Sequence, residues 1–123
     1  MIKNKLVLVV DDSPTIRKIV EITLKREGYR VNTCESAMKA LACITDEQPD
    51  LVLLDVILPI MDGYQVCKII KSRYRNLPII MLTSKDGFFD KIRGKMAGST
   101  QYITKPFEPK ELLAVVRKHT GGS

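Results

Sequence analysis

The stretch LVLVVDDSPTIRKIVEITLKREGYRV, residues 6–31, decides the fold. Leu6 to Val10 is an unbroken apolar run rich in β-branched residues, the pattern of a short strand covered on both faces. Asp11-Asp12-Ser13 ends it, and Pro14 stands where a helix tolerates proline, in its first turn. Ile16, Ile19, Val20, Ile22 and Leu24 then recur at helical spacing. Gly28, after Lys25-Arg26-Glu27, has the place of a helix C-terminal cap, and Tyr29 to Cys34 follows as a weaker strand centred on Val31. Strand, helix and strand with short connections form the unit that builds a parallel sheet by right-handed crossovers.

The alternation continues outward from this unit. Leu51 to Leu54 and Ile79 to Leu82 are further apolar runs, while Ala37, Leu41 and Ile44 behind a Ser36 cap, and then Val66, Ile69 and Ile70, mark two more helices. A fourth helix is predicted from Asp86 to near Gly98, a fifth strand from Gln101 to Thr104, and a last helix from Pro109 to about His119. The predicted class is α/β: a five-stranded parallel sheet with five helices on both faces. In such sheets ligands gather at the carboxyl ends of the strands, here just after Val10, Leu54, Leu82 and Ile103.

The 123 residues fit one domain over residues 1–120, with Gly121-Gly122-Ser123 as a terminal tail. A hydrophobic share of 45% and a charged share of 28% exclude a disordered chain. Cys34, Cys43 and Cys67 are odd in number and show no C-x-x-C spacing, which fits reduced thiols and a cytoplasmic location. There is no secretory leader pattern and no apolar run near the ~20 residues that span a bilayer, so no membrane insertion is expected. The net charge of +6 is dispersed over predicted helices, among them Arg17, Lys18, Lys68, Lys71, Arg73 and Arg75, so no direct nucleic-acid partner is expected. His119 reads as an exposed terminal residue, and Met38, Met81 and Met96 as packing.

Every polar cluster falls where the architecture puts a site. Asp11-Asp12-Ser13-Pro14 follows the first strand, Asp55 the third, Thr83-Ser84 the fourth and Lys105-Pro106 the fifth. Each has an ordinary explanation alone: Asp-Asp-Ser-Pro and Thr-Ser are common helix starts, Pro59 to Gly63 reads as a turn, and Lys105 as a surface lysine. The combination is far more specific, since four loops would have to converge by accident. Three carboxylates at one edge repel, and a hard divalent cation such as Mg2+ relieves them. Beside such an ion a carboxylate is also a nucleophile toward phosphorus. Asp55, alone after the central strand, is the candidate for that role. Asp11 and Asp12 are candidates for metal or metal-water ligands, and Lys105 and the Thr83 hydroxyl for partners of phosphoryl oxygens.

Val9 to Ser13, Leu54 to Gly63, Met81 to Ser84 and Lys105-Pro106-Phe107 resemble the signature blocks of the CheY-like response-regulator receiver family, across Lys5 to His119. The resemblance implies a flavodoxin-like sheet of order 2-1-3-4-5 in a two-component phosphorelay. Asp55 would be phosphorylated by a histidine kinase or phosphotransfer protein, with Mg2+ required. It further implies that Asp12, Asp55 and the backbone carbonyl of Ile57 ligate Mg2+, that Asp11 acts through metal-bound water, and that Lys105 contacts the phosphoryl group. Thr83 and Tyr102 match the family's switch pair, and the Lys105–Pro106 peptide would be cis. The segments Thr83 to Lys91 and Ala97 to Tyr102 look most like stand-alone regulators of type IV pilus and twitching motility. Ser84, in place of a common alanine, and the apolar Ile57 depart from the usual pattern in ways that bear on phosphoryl lifetime.

The family reading makes the chain a signalling module that acts as an enzyme only on its own aspartate. Its downstream protein target would use the surface of the fourth helix, fifth strand and last helix, including Lys91, Lys95, Tyr102 and Lys110. A phosphatase of the haloacid dehalogenase type would need an Asp-x-Asp pattern after the first strand, whereas Asp11 and Asp12 are adjacent. A flavodoxin would need a hydroxyl- and glycine-rich phosphate loop there. A constitutive adaptor with an intact acidic site stays open at this level.

Overall fold

In the computed structural model, which describes residues 4–84 and 97–121, five strands and four helices form. In chain order they are β1 (Leu6–Val10), α1 (Pro14–Arg26), β2 (Arg30–Cys34), α2 (Ala37–Asp46), β3 (Leu51–Asp55), α3 (Gly63–Arg73), β4 (Ile79–Thr83), β5 (Gln101–Thr104) and α4 (Pro109–His119). The helix predicted from Asp86 falls on residues 85–96, outside the described residues. All strand pairs are parallel, in the order β2-β1-β3-β4-β5 that the family resemblance implied.

Successive side chains of a strand point to opposite faces, and here each face has its own helical cover. Val7, Val9, Leu51, Leu53, Ile80, Leu82 and Ile103 pack with Val20 and Leu24 of α1 and Leu112 and Val116 of α4. Leu8, Val10, Val52, Leu54, Ile79 and Met81 pack with Ala37, Ala40 and Ile44 of α2 and Val66, Cys67 and Ile70 of α3. This double burial is why β1, β3 and β4 are continuous apolar runs rather than alternating ones. Each fully buried Leu, Ile or Val contributes roughly 1.5–3 kcal/mol relative to exposure.

The helix starts follow local chemistry. Ser13, Ser36 and Asp62 accept the backbone N–H of Ile16, Lys39 and Gln65, and Gln65 returns the contact by accepting the Asp62 N–H. At the end of α1, Gly28 turns left-handed (φ +94°), and the Tyr29 amide donates to the Leu24 carbonyl. That closure uses the Tyr29 amide, so β2 begins at Arg30 rather than at the predicted Tyr29. β3 and β4 each run one residue beyond prediction, because Asp55 pairs in register with Leu82 and Thr83 with Thr104.

Some side chains depart from the sequence reading. Ile19 and Ile22 lie on the outer side of α1 and are about two-fifths exposed, and Met38 is exposed rather than packed. His119 is half-buried, with Nε2 2.8 Å from Gln101 Oε1. The dispersed charge is matched by surface ion pairs such as Lys39–Glu35, Arg30–Glu47 and Arg117–Glu27.

Between β3 and α3 the chain passes through Ile60, which is wholly exposed and has φ 71°. A β-branched side chain is crowded there, at a cost of about 1–2 kcal/mol, whereas Asn tolerates the conformation. Ile60→Asn is therefore expected to stabilise the fold by about 1 kcal/mol. Urea unfolding should show a higher midpoint with unchanged slope, and an unchanged or lower midpoint would remove the strain argument.

Candidate functional site

Two neighbouring strands end side by side and deliver three acids. Asp11 leaves β1, Asp12 follows it, and Asp55 closes β3; one carboxylate oxygen from each lies within 4.8 Å of the others. Asp11 is fully buried and held at every polar atom. Its amide donates to the Cys34 carbonyl (3.1 Å), Oδ1 accepts the Ser13 N–H (2.9 Å), and Oδ2 accepts Lys105 Nζ (2.7 Å). Its own carbonyl accepts Arg17 Nη1 at 2.7 Å. Asp55 is also buried; Oδ1 accepts the Ile57 N–H (3.0 Å), and Oδ2 lies 3.4 Å from Lys105 Nζ. Asp12 is exposed.

β4 and β5 supply the rest. Thr83 is buried at the end of β4, and Tyr102 sits half-buried on adjacent β5, opposite Met81 in register and against the core under α2 and α3. The Lys105 amide donates to the Thr83 carbonyl (2.6 Å), and the Lys105–Pro106 peptide is cis, as the resemblance implied. The sequence-predicted residues Asp11, Asp12, Asp55, Thr83 and Lys105 thus share one sheet edge, with Ile57 exposed beside them.

Three carboxylates face one ammonium group. At an effective dielectric of ~20, two unit charges about 5 Å apart repel by roughly 3 kcal/mol, so Lys105 leaves the cluster short of positive charge. Burial pushes the Asp55 carboxyl up to about 6; the Ile57 amide pulls it back, the Asp11 charge raises it further, and Lys105 lowers it. The donors are all hard oxygens, which suits a divalent cation of the Mg2+ or Ca2+ class better than a thiophilic metal. The three cysteines stand apart from the cluster as free thiols.

Two residues that shape the site were not singled out in the sequence. Gly63, read as part of a turn, opens α3 directly against β3: a Cβ there would lie 2.1 Å from the Asp55 carbonyl oxygen and 2.8 Å from Val56 Cα. Arg17, read as one of many dispersed basic residues, reaches back to the acidic loop. An arginine one turn into a helix that starts on an acidic loop was the available signal.

Residues 7–117 match the model of the response regulator receiver domain. The chain belongs to that family. This receiver is 47% identical over 115 residues to Protein PilG of Pseudomonas aeruginosa, covering 92% of the chain and 85% of PilG. It is 45% identical over 114 residues to the alkaline phosphatase synthesis transcriptional regulatory protein PhoP of Bacillus subtilis, covering 93% of the chain but only 48% of PhoP, so it spans about half that relative's length. The solved structure of Vibrio cholerae chemotaxis protein CheY4 superimposes with a TM-score of 0.90 at 36% identity, over 94% of this chain and 98% of that one. The protein is thus a response-regulator receiver of two-component signalling, and receivers are signalling modules. Among the described residues, no helix is long and apolar enough to cross a membrane.

Proposed function

We propose that this receiver takes a phosphoryl group on Asp55 from a histidine kinase or phosphotransfer protein, in a Mg2+ site formed by Asp11, Asp12, Asp55 and the Ile57 carbonyl. The observation that carries the reading is the unequal engagement of the three acids. Asp11 has both oxygens taken at 2.7 and 2.9 Å, and Asp12 is exposed, whereas Asp55 has one oxygen fixed by an amide and the other only loosely approached by Lys105 at 3.4 Å. In the transfer, an Asp55 oxygen forms the new bond to phosphorus while the bond from phosphorus to the donor's imidazole nitrogen breaks. Mg2+ supplies charge neutralisation to the transferring group. Lys105 pairs with a phosphoryl oxygen, and the Thr83 hydroxyl donates to another.

Thr83 and Tyr102, on adjacent strands, are the proposed switch pair: the hydroxyl follows the phosphate and the ring follows the hydroxyl. A downstream protein would read the change on the surface formed by the helix predicted from Asp86, β5 and α4, through Tyr102 and Lys110; that predicted helix, with Lys91 and Lys95, falls outside the described residues. The setting proposed is cytoplasmic control of motility or chemotaxis type, with residues 1–120 as the domain and 121–123 as a tail. The module does chemistry only on its own aspartate and has no direct nucleic-acid partner.

Incubation with acetyl phosphate should add the mass of one phosphoryl group in the presence of Mg2+ and none in EDTA. Mg2+ should also raise the thermal midpoint, since an ion at a hundred times its Kd adds about 2.7 kcal/mol when it binds only the folded state. Asp12→Ala should lose most of that rise. Labelling that ignores Mg2+, or an equal Mg2+ effect on Asp12→Ala, would reject the site.

A further inference from the structure

We infer that Arg17 is a positioning residue for the cation site, raising its affinity for a divalent ion even though Arg17 is itself a cation. The inference rests on the cation site proposed above. Arg17 lies in α1 and directs Nη1 onto the Asp11 carbonyl at 2.7 Å, a short charge-assisted bond. That carbonyl belongs to the peptide joining Asp11 to Asp12, so the guanidinium pins the plane of the bond between the two acids. No strand ladder does this for it, because β1 ends at Val10 and the chain turns immediately into the Ser13 cap of α1.

The rest of Asp11 is already fixed by the Cys34 carbonyl, the Ser13 amide and Lys105. Asp12 differs: it is exposed, and the plane of the peptide that precedes it helps fix where its side chain leaves the backbone. Holding that peptide therefore helps keep Asp12 within reach of Asp11 and Asp55. Arg17 is half-buried, and its charge is also felt, as a minor influence, at Glu35 and the Cys34 thiol by the end of β2. A planar fork suits such a fixed position better than a mobile ammonium.

Charge and positioning predict opposite signs. If Arg17 acted through charge alone, its removal would lessen repulsion and tighten cation binding. If it positions the acids, its removal loosens Asp12, and outer partners of metal ligands typically change affinity by about 10- to 100-fold.

The test is a titration of the whole chain with Mn2+, followed by electron paramagnetic resonance of the free ion, at a temperature where all variants are folded. Arg17→Ala should bind roughly tenfold more weakly, at the low end of that range. Arg17→Lys, which retains a donor and the charge, should recover part of the loss. Asp12→Ala provides the control for a broken site. Equal or tighter binding by Arg17→Ala overturns the inference, as does Arg17→Lys binding no better than Arg17→Ala. If the wild-type chain fails to bind Mn2+, the cation site itself falls, a result distinct from either.

Discussion

Asp55→Asn should take no label from acetyl phosphate and, without divalent cations, should be more stable than the wild-type receiver near neutral pH. The amide is nearly isosteric, so its oxygen still accepts the Ile57 N–H and Lys105 still pairs with Asp11 at 2.7 Å. What is lost is the nucleophilic oxygen and a buried charge. The sign of the stability change follows from the weakened acidity of the carboxyl. Asp55 goes from 3.8 to about 6 because burial and Asp11 disfavour its ionised form. Between those values the folded chain binds more protons than the unfolded one, so the contribution of Asp55 is fully present below about 4 and is lost as pH rises through about 6. A tenfold change in proton affinity corresponds to about 1.4 kcal/mol, so the substitution should recover on the order of 3 kcal/mol at about pH 7 and almost nothing at about pH 4. Intact-mass measurement decides the first half, and urea unfolding in EDTA across this pH range the second. Undiminished labelling would move the acceptor elsewhere; a stability gain that did not grow with pH would refute the burial argument.

Gly63→Ala should cost about 3 kcal/mol and slow labelling of Asp55 as well. In an ordinary helix the change from glycine to alanine stabilises by roughly 0.5–1 kcal/mol, so the expected sign is reversed. The reason is contact, not conformation: the added carbon would meet the Asp55 carbonyl oxygen at 2.1 Å, the Asp55 carbonyl carbon at 2.9 Å and Val56 Cα at 2.8 Å. None of these can rotate aside, because all are backbone. α3 must back away or the end of β3 must bend, and the second movement displaces the acceptor. A fall in thermal midpoint of roughly 10 °C, with slower acetyl phosphate labelling at a temperature where the variant is folded, is the expected result. A neutral or stabilised variant would contradict the close approach of α3 to β3.

The strands and the acids were legible because their signals are local. An apolar run such as Leu6 to Val10 declares its own burial, and Asp11, Asp12 and Asp55 declare themselves by sitting at strand ends. Strand order came from family resemblance; alternation alone gave only the parallel arrangement. Less legible were features that depend on what lies across the fold. Gly63 needs no left-handed turn, and only the proximity of β3 explains why a side chain is excluded there. Arg17 and Lys18 read alike as surface bases, and only the position of the Asp11 carbonyl separates them. Ile19 and Ile22 satisfy helical periodicity yet face outward, since periodicity fixes a stripe's spacing but not how wide a stripe the sheet covers.

The alternation of β1, β3 and β4 between two helical layers also bears on how such a chain can diverge. Val9 and Val10 are neighbours in the chain but belong to different packing sets, on opposite faces of the sheet. Substitutions that compensate one another must therefore lie within one layer, while changes in opposite layers combine nearly independently. Each layer can drift as a separate lineage of small volume exchanges under an unmoved sheet. The strand ends, where both layers terminate, have no such latitude. A chain that shares 36% of its residues with CheY4 and still superimposes with a TM-score of 0.90 is the outcome expected of that division.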